Sequence, residues 1–505
     1  MIRRRFILLV AVWALPLIAA CQTSSQTDPT HDSISLSAAK QVTAQFQGQS
    51  FAIPPRTVED ILQILNEANV SNLTKINALR FVANQRPPTT TDPETLWKFF
   101  RKRGLSAKLI GRTQQAIKDF EKALLEVRKT RRNSLEANEP NPRGELRSLA
   151  GSHRDTGNYA KALEFSKEEE RLTSKTEATG RLISVYSYHA DILANLGFLQ
   201  EADAALKKAR PYVDDSVDWN RNLEWQPVTV SQYPRSQGQV ERSRGQYKVA
   251  LDRFREAERI LRKDIATGNR SQSSEVTQGI NLWDARYALL SKTLSDISQT
   301  LLQIGRNVEA EANSREAVQI SLRQFGRYGT TTLFAVTGLS RILARMGRHE
   351  DARLLNNEVI KSYDKIGAER DTYTYLEVRR STADSLVAEG EMTDAVAIYD
   401  AIFAQADSTI AQRLRKESVM WAVARISVGQ SAKAIDHLEA VLRDRTRIYG
   451  ATHLRTAEAR GLIGAVRVHL GNDNDAARDF RSSVPALLDA PDGTVRTFIL
   501  EAYLA

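Results

Sequence analysis

From Val58 onward the apolar positions of this chain recur every three to four residues rather than every two. Val58, Ile61, Leu62, Ile64, Leu65 and Ala68 form one stripe, and Leu73, Ile76, Leu79, Phe81 and Val82 form a second that Pro87-Pro88 stops. A period near 3.6 with a single apolar face predicts helices. Asp92-Pro93-Glu94 then supplies an N-cap aspartate and a first-turn proline, with Trp97, Phe100, Gly104 and Ala107 on the inward face of the next helix. Beyond it the stripes are broken nine times by a glycine followed five residues later by alanine. The glycines are Gly111, Gly157, Gly197, Gly245, Gly305, Gly347, Gly390, Gly429 and Gly471. The alanines are Ala116, Ala162, Ala202, Ala250, Ala310, Ala352, Ala395, Ala434 and Ala476. Seven residues before each glycine stands another small residue: Gly104, Ala150, Ala190, Gly238, Ser298, Ser340, Ala383, Ala422 or Gly464. Small residues on both sides of a turn let two helix backbones cross closely. A stack of helix–turn–helix units is therefore expected.

The turn glycines are 46, 40, 48, 60, 42, 43, 39 and 42 residues apart. A period near 40 exceeds the 34 of a standard tetratricopeptide repeat, yet within each unit the small–Gly–Ala pattern resembles that family. Its bulky position nine after the glycine holds Phe120, Leu206, Phe254, Tyr399, Leu438 and Phe480, and departs from the pattern at Ser166, Ser314 and Asn356. The final small position, twelve after the glycine, holds Ala123, Ala209, Ala257 and Ala317 before drifting to Val359, Ile402 and Val441. Phe325-Gly326 with Thr332, and Tyr449-Gly450 with His453 and Thr456, resemble the long linkers of kinesin-light-chain-type repeats. The resemblance implies an all-α, right-handed α-solenoid of about nine tetratricopeptide-like units over 91–489, preceded by capping helices at 51–90. Irregular connections are expected from Pro211 to Tyr233, with Trp219 and Trp225, and from Ile265 to Gly279.

The first fifty residues follow different rules. Arg3, Arg4 and Arg5 precede an apolar run from Phe6 to Ile18, too short for a comfortable membrane span and right for a secretory leader. Ile18-Ala19-Ala20-Cys21 resembles the bacterial lipobox, which implies a signal peptide at 1–20 and lipidation of Cys21. Several acyl chains anchor stably where one binds only marginally. Gln22 after the cysteine implies the outer membrane, at its periplasmic face. Residues 21–50, rich in Gln, Ser, Thr and Ala, read as a flexible tether.

Composition narrows the function classes. Apolar content is 42% and aromatic content 7%, which suits an Ala/Leu-rich helical array better than a sheet protein. Net charge is +10; with the leader arginines gone, the excess of basic over the 61 acidic residues falls to +7. That mild excess reads as a solvated array, and export argues against nucleic acid as a partner. Cys21 is the only cysteine, so no disulfide framework is expected. The seven histidines form no close ligand set, and no phosphate loop or nucleophile elbow occurs. Neither metal nor cofactor is expected, and no catalytic constellation.

Candidate function therefore rests on the groove. The family resemblance implies that partner segments bind along the first helix of each unit, at positions two, three, six and ten before the turn glycine. Arg147, Arg154, Asp191, Asn195, Gln299, Arg341, Arg345, Arg380 and Asp384 are the candidates. They tilt basic from Arg341 onward, which favours an acidic or carboxylate-ended segment; solvated helix surface is the competing reading. The Lys/Asn pattern of the chaperone-tail clamp is absent. After Pro491-Asp-Gly493 a terminal helix over 490–505 follows, either a cap or the start of a further domain. Its "FILEAYLA" run resembles the N-terminal half of bacterial repeat proteins that continue into a caspase-like CHAT peptidase. The sequence thus supports a lipid-anchored, non-catalytic interaction scaffold, with the regulatory half of such a peptidase as the alternative.

Overall fold

The computed structural model describes residues 57–67, 70–130, 142–173, 179–214, 226–267, 276–277, 280–490 and 493–504. The expected leader at 1–20, the lipidation site Cys21, the tether at 21–50 and the tryptophans Trp219 and Trp225 lie outside the described residues. Helices α1 (Glu59–Glu67) and α2 (Val70–Ala83) come first. Antiparallel pairs follow: α3 (Pro93–Leu109) with α4 (Thr113–Lys129), and α5 (Pro142–Thr156) with α6 (Tyr159–Leu172). Next come α7 (Thr179–Leu196) with α8 (Leu199–Asp214), and α9 (Gln226–Ser243) with α10 (Tyr247–Thr267). The series goes on with α11 (Leu282–Gln303) and α12 (Asn307–Phe325), α13 (Thr330–Arg345) and α14 (His349–Ile366), α15 (Tyr373–Glu389) and α16 (Met392–Gln405).

In the following unit the first helix is divided into α17 (Ser408–Glu417) and α18 (Met420–Ser427), because Ser418 adopts an extended conformation between them. Its second helix, α19 (Ile435–Tyr449), is entered through a 3₁₀ turn at Ser431–Lys433. Then α20 (Leu454–His469) pairs with α21 (Asp473–Leu488), and α22 (Thr494–Leu504) packs on α20 with Ile499 fully buried. Before α11, β1 (Val276–Thr277) pairs antiparallel with β2 (Ile280–Asn281). The expected irregular run from Pro211 to Tyr233 is shorter than its composition suggests. Pro211 lies inside α8 and Tyr233 inside α9, since a proline in a last turn forfeits only one ladder bond.

All nine turns are built alike. Their glycines have φ between +74° and +89°, a region that side chains with a Cβ enter only at a cost. The residue after each glycine donates its N–H to the carbonyl five residues back, at 2.8–3.0 Å, as Arg348 does to Leu343. That Schellman bond closes the first helix and reverses the chain into the second. Where the small position is serine it does more than stay small: Ser340 Oγ donates to the Ala352 carbonyl at 3.0 Å, tying the two helices of the unit together. Ala352 itself is fully buried at that crossing. Ala352→Leu should therefore overpack it and cost about 1–3 kcal/mol, read as a lowered melting temperature; an unchanged melt would refute the crossing. The two kinesin-light-chain-like linkers share a second device. Thr332 and Thr456 are fully buried and donate to the carbonyls of Gly326 and Gly450, each at 2.8 Å.

The solenoid coils until it meets itself. Arg112 Nε donates to the Gly367 carbonyl at 2.9 Å, and Glu369 accepts from the backbone N–H groups of Gln114 and Gln115 at 2.8 and 3.1 Å, capping α4 from 254 residues away. Arg413 on α17 donates to the Asp155 carbonyl at 3.1 Å beside Gly157, and Arg447 reaches the Leu196 carbonyl beside Gly197. A Cβ on Gly197 would stand 2.7 Å from Ile448 Cα, so this turn needs glycine for close approach as well as for its φ. At the other end α2 packs on α3, while α1 crosses to α12, where Arg315 grips Asp60.

Candidate functional site

Self-contact turns the first helices of successive units into an inner ring. Neighbours α7–α9, α9–α11, α11–α13 and α13–α15 touch in sequence, and α15 returns to touch α5. Side chains of successive inner helices meet in the interior of this ring, as Arg235 of α9 meets Asp296 of α11. That interior is wet rather than packed, since Lys108 and Asp155 each leave 37% of the side chain accessible and Arg341 leaves 32%.

The sequence-predicted groove residues lie on this ring, most of them engaged with neighbours. Arg147 pairs with Glu169 at 2.9 Å, and both Arg147 and Arg154 stack 5.0 Å from the Tyr188 ring. Arg154 also pairs with Asp155 at 2.9 Å. Asp191 faces Arg235 at 3.5 Å, Asn195 donates back to the Asp191 carbonyl, and Gln299 accepts from Arg242 at 3.3 Å. Arg341 and Arg380 share Glu377, at 3.2 and 2.7 Å, and Arg380 also holds Asp384. Arg345 is exposed at the end of α13. The basic tilt from Arg341 onward is therefore largely compensated on the ring itself. The cationic excess lies instead among the earlier inner helices.

Sequence reasoning passed over the residues that make that excess. Lys108, Arg235 and Arg242 obey the groove offsets, at three, ten and three residues before their turn glycines. Lys292 lies thirteen before Gly305, one helical turn beyond the last offset considered, and Asp296 and Tyr188 lie nine before theirs. Extending the face by one turn would have found Lys292, and widening it by one position would have found Asp296 and Tyr188. Arg235 bonds Asp296 at 2.6 Å, Gln239 joins the same carboxylate at 2.8 Å, and Arg242 lies 3.4 Å from it. Lys108 is 3.8 Å from Asp155. Lys292 makes no ion pair within 4.0 Å among the described residues.

Electrostatics follow from this crowding. Burial pushes the Asp155 carboxyl up, but Arg154, Lys108 and Lys292 together outweigh it and bring it down to about 2. The Lys292 amine is brought down to about 7, first by the Arg154 guanidinium, then by burial and Arg235, with Asp155 and Asp296 only partly opposing them. Burial raises the Tyr188 hydroxyl well above its ordinary value and keeps it a proton donor. No group of three or more potential metal ligands occurs among the described residues, and no described helix is long and apolar enough to cross a membrane.

Residues 289–365, which span most of α11 through α14, match the tetratricopeptide repeat family model. No curated protein matches the chain. Among solved structures, a Rap protein complexed with competence and sporulation factor is similar at 12% identity and a TM-score of 0.46, over 81% of this chain and 99% of that one. The nearly identical, kinesin-light-chain-type TPR-like repeats of a Podosopora anserina protein match at 18% identity and a TM-score of 0.30, over 40% of this chain and 95% of theirs. A tetratricopeptide repeat protein from Parabacteroides merdae matches at 13% identity and a TM-score of 0.35, covering 64% of this chain and all of its own. The chain thus carries tetratricopeptide repeats at 289–365 within an all-α solenoid of the tetratricopeptide-repeat type.

Proposed function

We propose that this protein is a non-catalytic interaction scaffold that takes a segment of a partner protein against the inner ring, and that Cys21 tethers it by lipid to the periplasmic face of the outer membrane. The observation that carries the first part is the ring of inner helices from successive units, whose charged side chains include solvent-accessible ones such as Lys108, Asp155 and Arg341. Extended or helical segments bind such concave helix arrays through side-chain anchors. The test is capture of partners by the full chain against a variant with Arg341→Glu and Arg345→Glu, both accessible inner-helix positions. Partners held by the original chain and lost by the variant are expected. Identical capture by both would remove the inner ring as the binding face.

The second part rests on the lipobox resemblance of Ile18-Ala19-Ala20-Cys21. Cys21→Ser should leave the chain uncleaved or release it from the membrane fraction. Fractionation of that variant with the membrane in processed form would sink the lipid anchor.

A further inference from the structure

Four successive turns of the first coil are met by the second. Gly111 faces the linker 367–369, Gly157 faces Arg413 of α17, Gly197 faces Arg447 and Ile448 of α19, and Gly245 faces His453. From the way these contacts are made, we infer that α15 to α22 form a latch. The arm is held closed on the first coil by arginines that cap the inner helices α5 and α7, and it opens the ring along this seam with every helix pair intact. The inference stands on the seam alone and does not depend on what the ring binds.

A helix ends in carbonyls that have no partner within it and carry partial negative charge, and it begins with unpaired N–H groups. The second coil supplies both needs of the first. Arg413 donates to the Arg154 and Asp155 carbonyls, in the last turn of α5, at 3.3 and 3.1 Å. Arg447 donates to the Leu196 carbonyl at the end of α7. At the foot of the arm the polarity is mirrored. The N-cap of α4, Arg112, makes no side-chain cap bond of its own, and Glu369 accepts from the Gln114 and Gln115 N–H groups instead. Arg413 is held ready for its task. Its guanidinium lies 3.4 Å from the centre of the Tyr373 ring and pairs with Glu417 at 2.8 Å, while Tyr373 donates to the same carboxylate at 2.6 Å.

These bonds across the seam are polar, whereas each side is held together by its own apolar core. The arm is built on a cluster running from Ala383 to Ile499, which shares no residue with the clusters of α5 to α9. Ile448, set against Gly197, belongs to none of them. Freed carbonyls and guanidinium groups turn to water, so the net cost of breaking each bond is small beside that of opening a core. Small rotations between successive units are enough to lift the arm, because the curvature of a solenoid is their sum. With the arm lifted, α15 parts from α5 and the closed ring becomes an open coil.

Hydroxyl-radical footprinting of the full chain, read by mass spectrometry, tests the latch by removing one arginine and observing the other end of the seam. Arg413→Met should raise the oxidation of Ile448 and His453, and Arg447→Met that of Tyr159 and Tyr373, because a latch lets go as a unit. Loss of one charge-assisted hydrogen bond moves a two-state balance by about tenfold, and a rise of that order is expected. Phe254 and Trp421, in the cores on the two sides, should react as in the original chain, and helical content by circular dichroism should stay the same. A rise confined to the residues touching the substituted arginine overturns the latch, since the contacts then act singly. Increased oxidation of Phe254 and Trp421, or lost helix, also overturns it, because the seam then helps to keep the units folded. No rise at any seam residue shows a rigid closure and overturns it as well.

Discussion

Arg315→Met should destabilise the protein by about 3–5 kcal/mol, the cost of stripping one partner from a buried ion pair. Arg315 on α12 is fully buried and donates to both carboxylate oxygens of Asp60 at 2.9 Å, to Glu311 at 2.8 Å and to the Thr57 carbonyl at 2.8 Å. Without it Asp60 faces apolar surroundings uncompensated, whereas Glu311 keeps Arg348 at 2.8 Å. The damage should therefore concentrate on α1, whose other anchors are Val58, Ile61 and Leu65 and the bonds from Arg327 to the Leu65 carbonyl and Asn66. Hydrogen exchange in 59–67 should accelerate first, because a solenoid opens in local units before it unfolds globally. Adding Asp60→Leu should recover most of the loss, since replacing both members of a buried pair by apolar groups is often neutral. A single variant that exchanges like the original would show that α1 is held by its apolar face alone.

Phe254→Ala should cost about 3–5 kcal/mol, the range for deleting a buried phenyl ring. Phe254 is fully buried on α10, and its ring packs against Gly238 of α9, where an added Cβ would stand 2.7 Å from two ring carbons. The same lock joins Gly104 to Phe120 and Gly464 to Phe480, with Cβ-to-ring distances of 2.9 Å. Gly238→Ala alone should lose about 1–3 kcal/mol by overpacking. Combined with Phe254→Leu, the pair should be less damaged than the sum by about 0.5–3 kcal/mol, the coupling expected of touching residues. Strict additivity in chemical denaturation would show that ring and glycine do not share the space.

That lock accounts for departures that look like decay along the chain. Phenylalanine occupies the bulky position in the three units whose small position is glycine: 104 with 120, 238 with 254, and 464 with 480. Alanine accompanies Leu206, Tyr399 and Leu438, and serine accompanies Ser314 and Asn356. In the glycine and alanine units a smaller residue on the first helix accompanies a bulky one on the second; the two serine units lack that bulk. Ser166, opposite Ala150, likewise lacks a bulky partner across that pair.

The sequence by itself determined the turns. A glycine at positive φ, an alanine five residues on and a small residue seven before are local requirements, and all nine turns close with the same bond. It also carried the inner-face offsets, because a helix repeats its face every 3.6 residues regardless of its neighbours. Only the tertiary structure decided where the solenoid meets itself. Arg112 with Gly367, Arg413 with Asp155 and Arg447 with Leu196 join residues more than 250 apart, and their register depends on small rotations accumulated over several units. The same coiling decided the electrostatics. Arg341 and Arg380 read as free cations along the chain, yet Glu377 pairs with both and Asp384 with Arg380. Lys292 reads as an ordinary helix lysine, yet coiling sets it against Arg154, which lies 138 positions earlier. Charge at a point is a sum over everything nearby, and what is nearby is settled only when the ring closes.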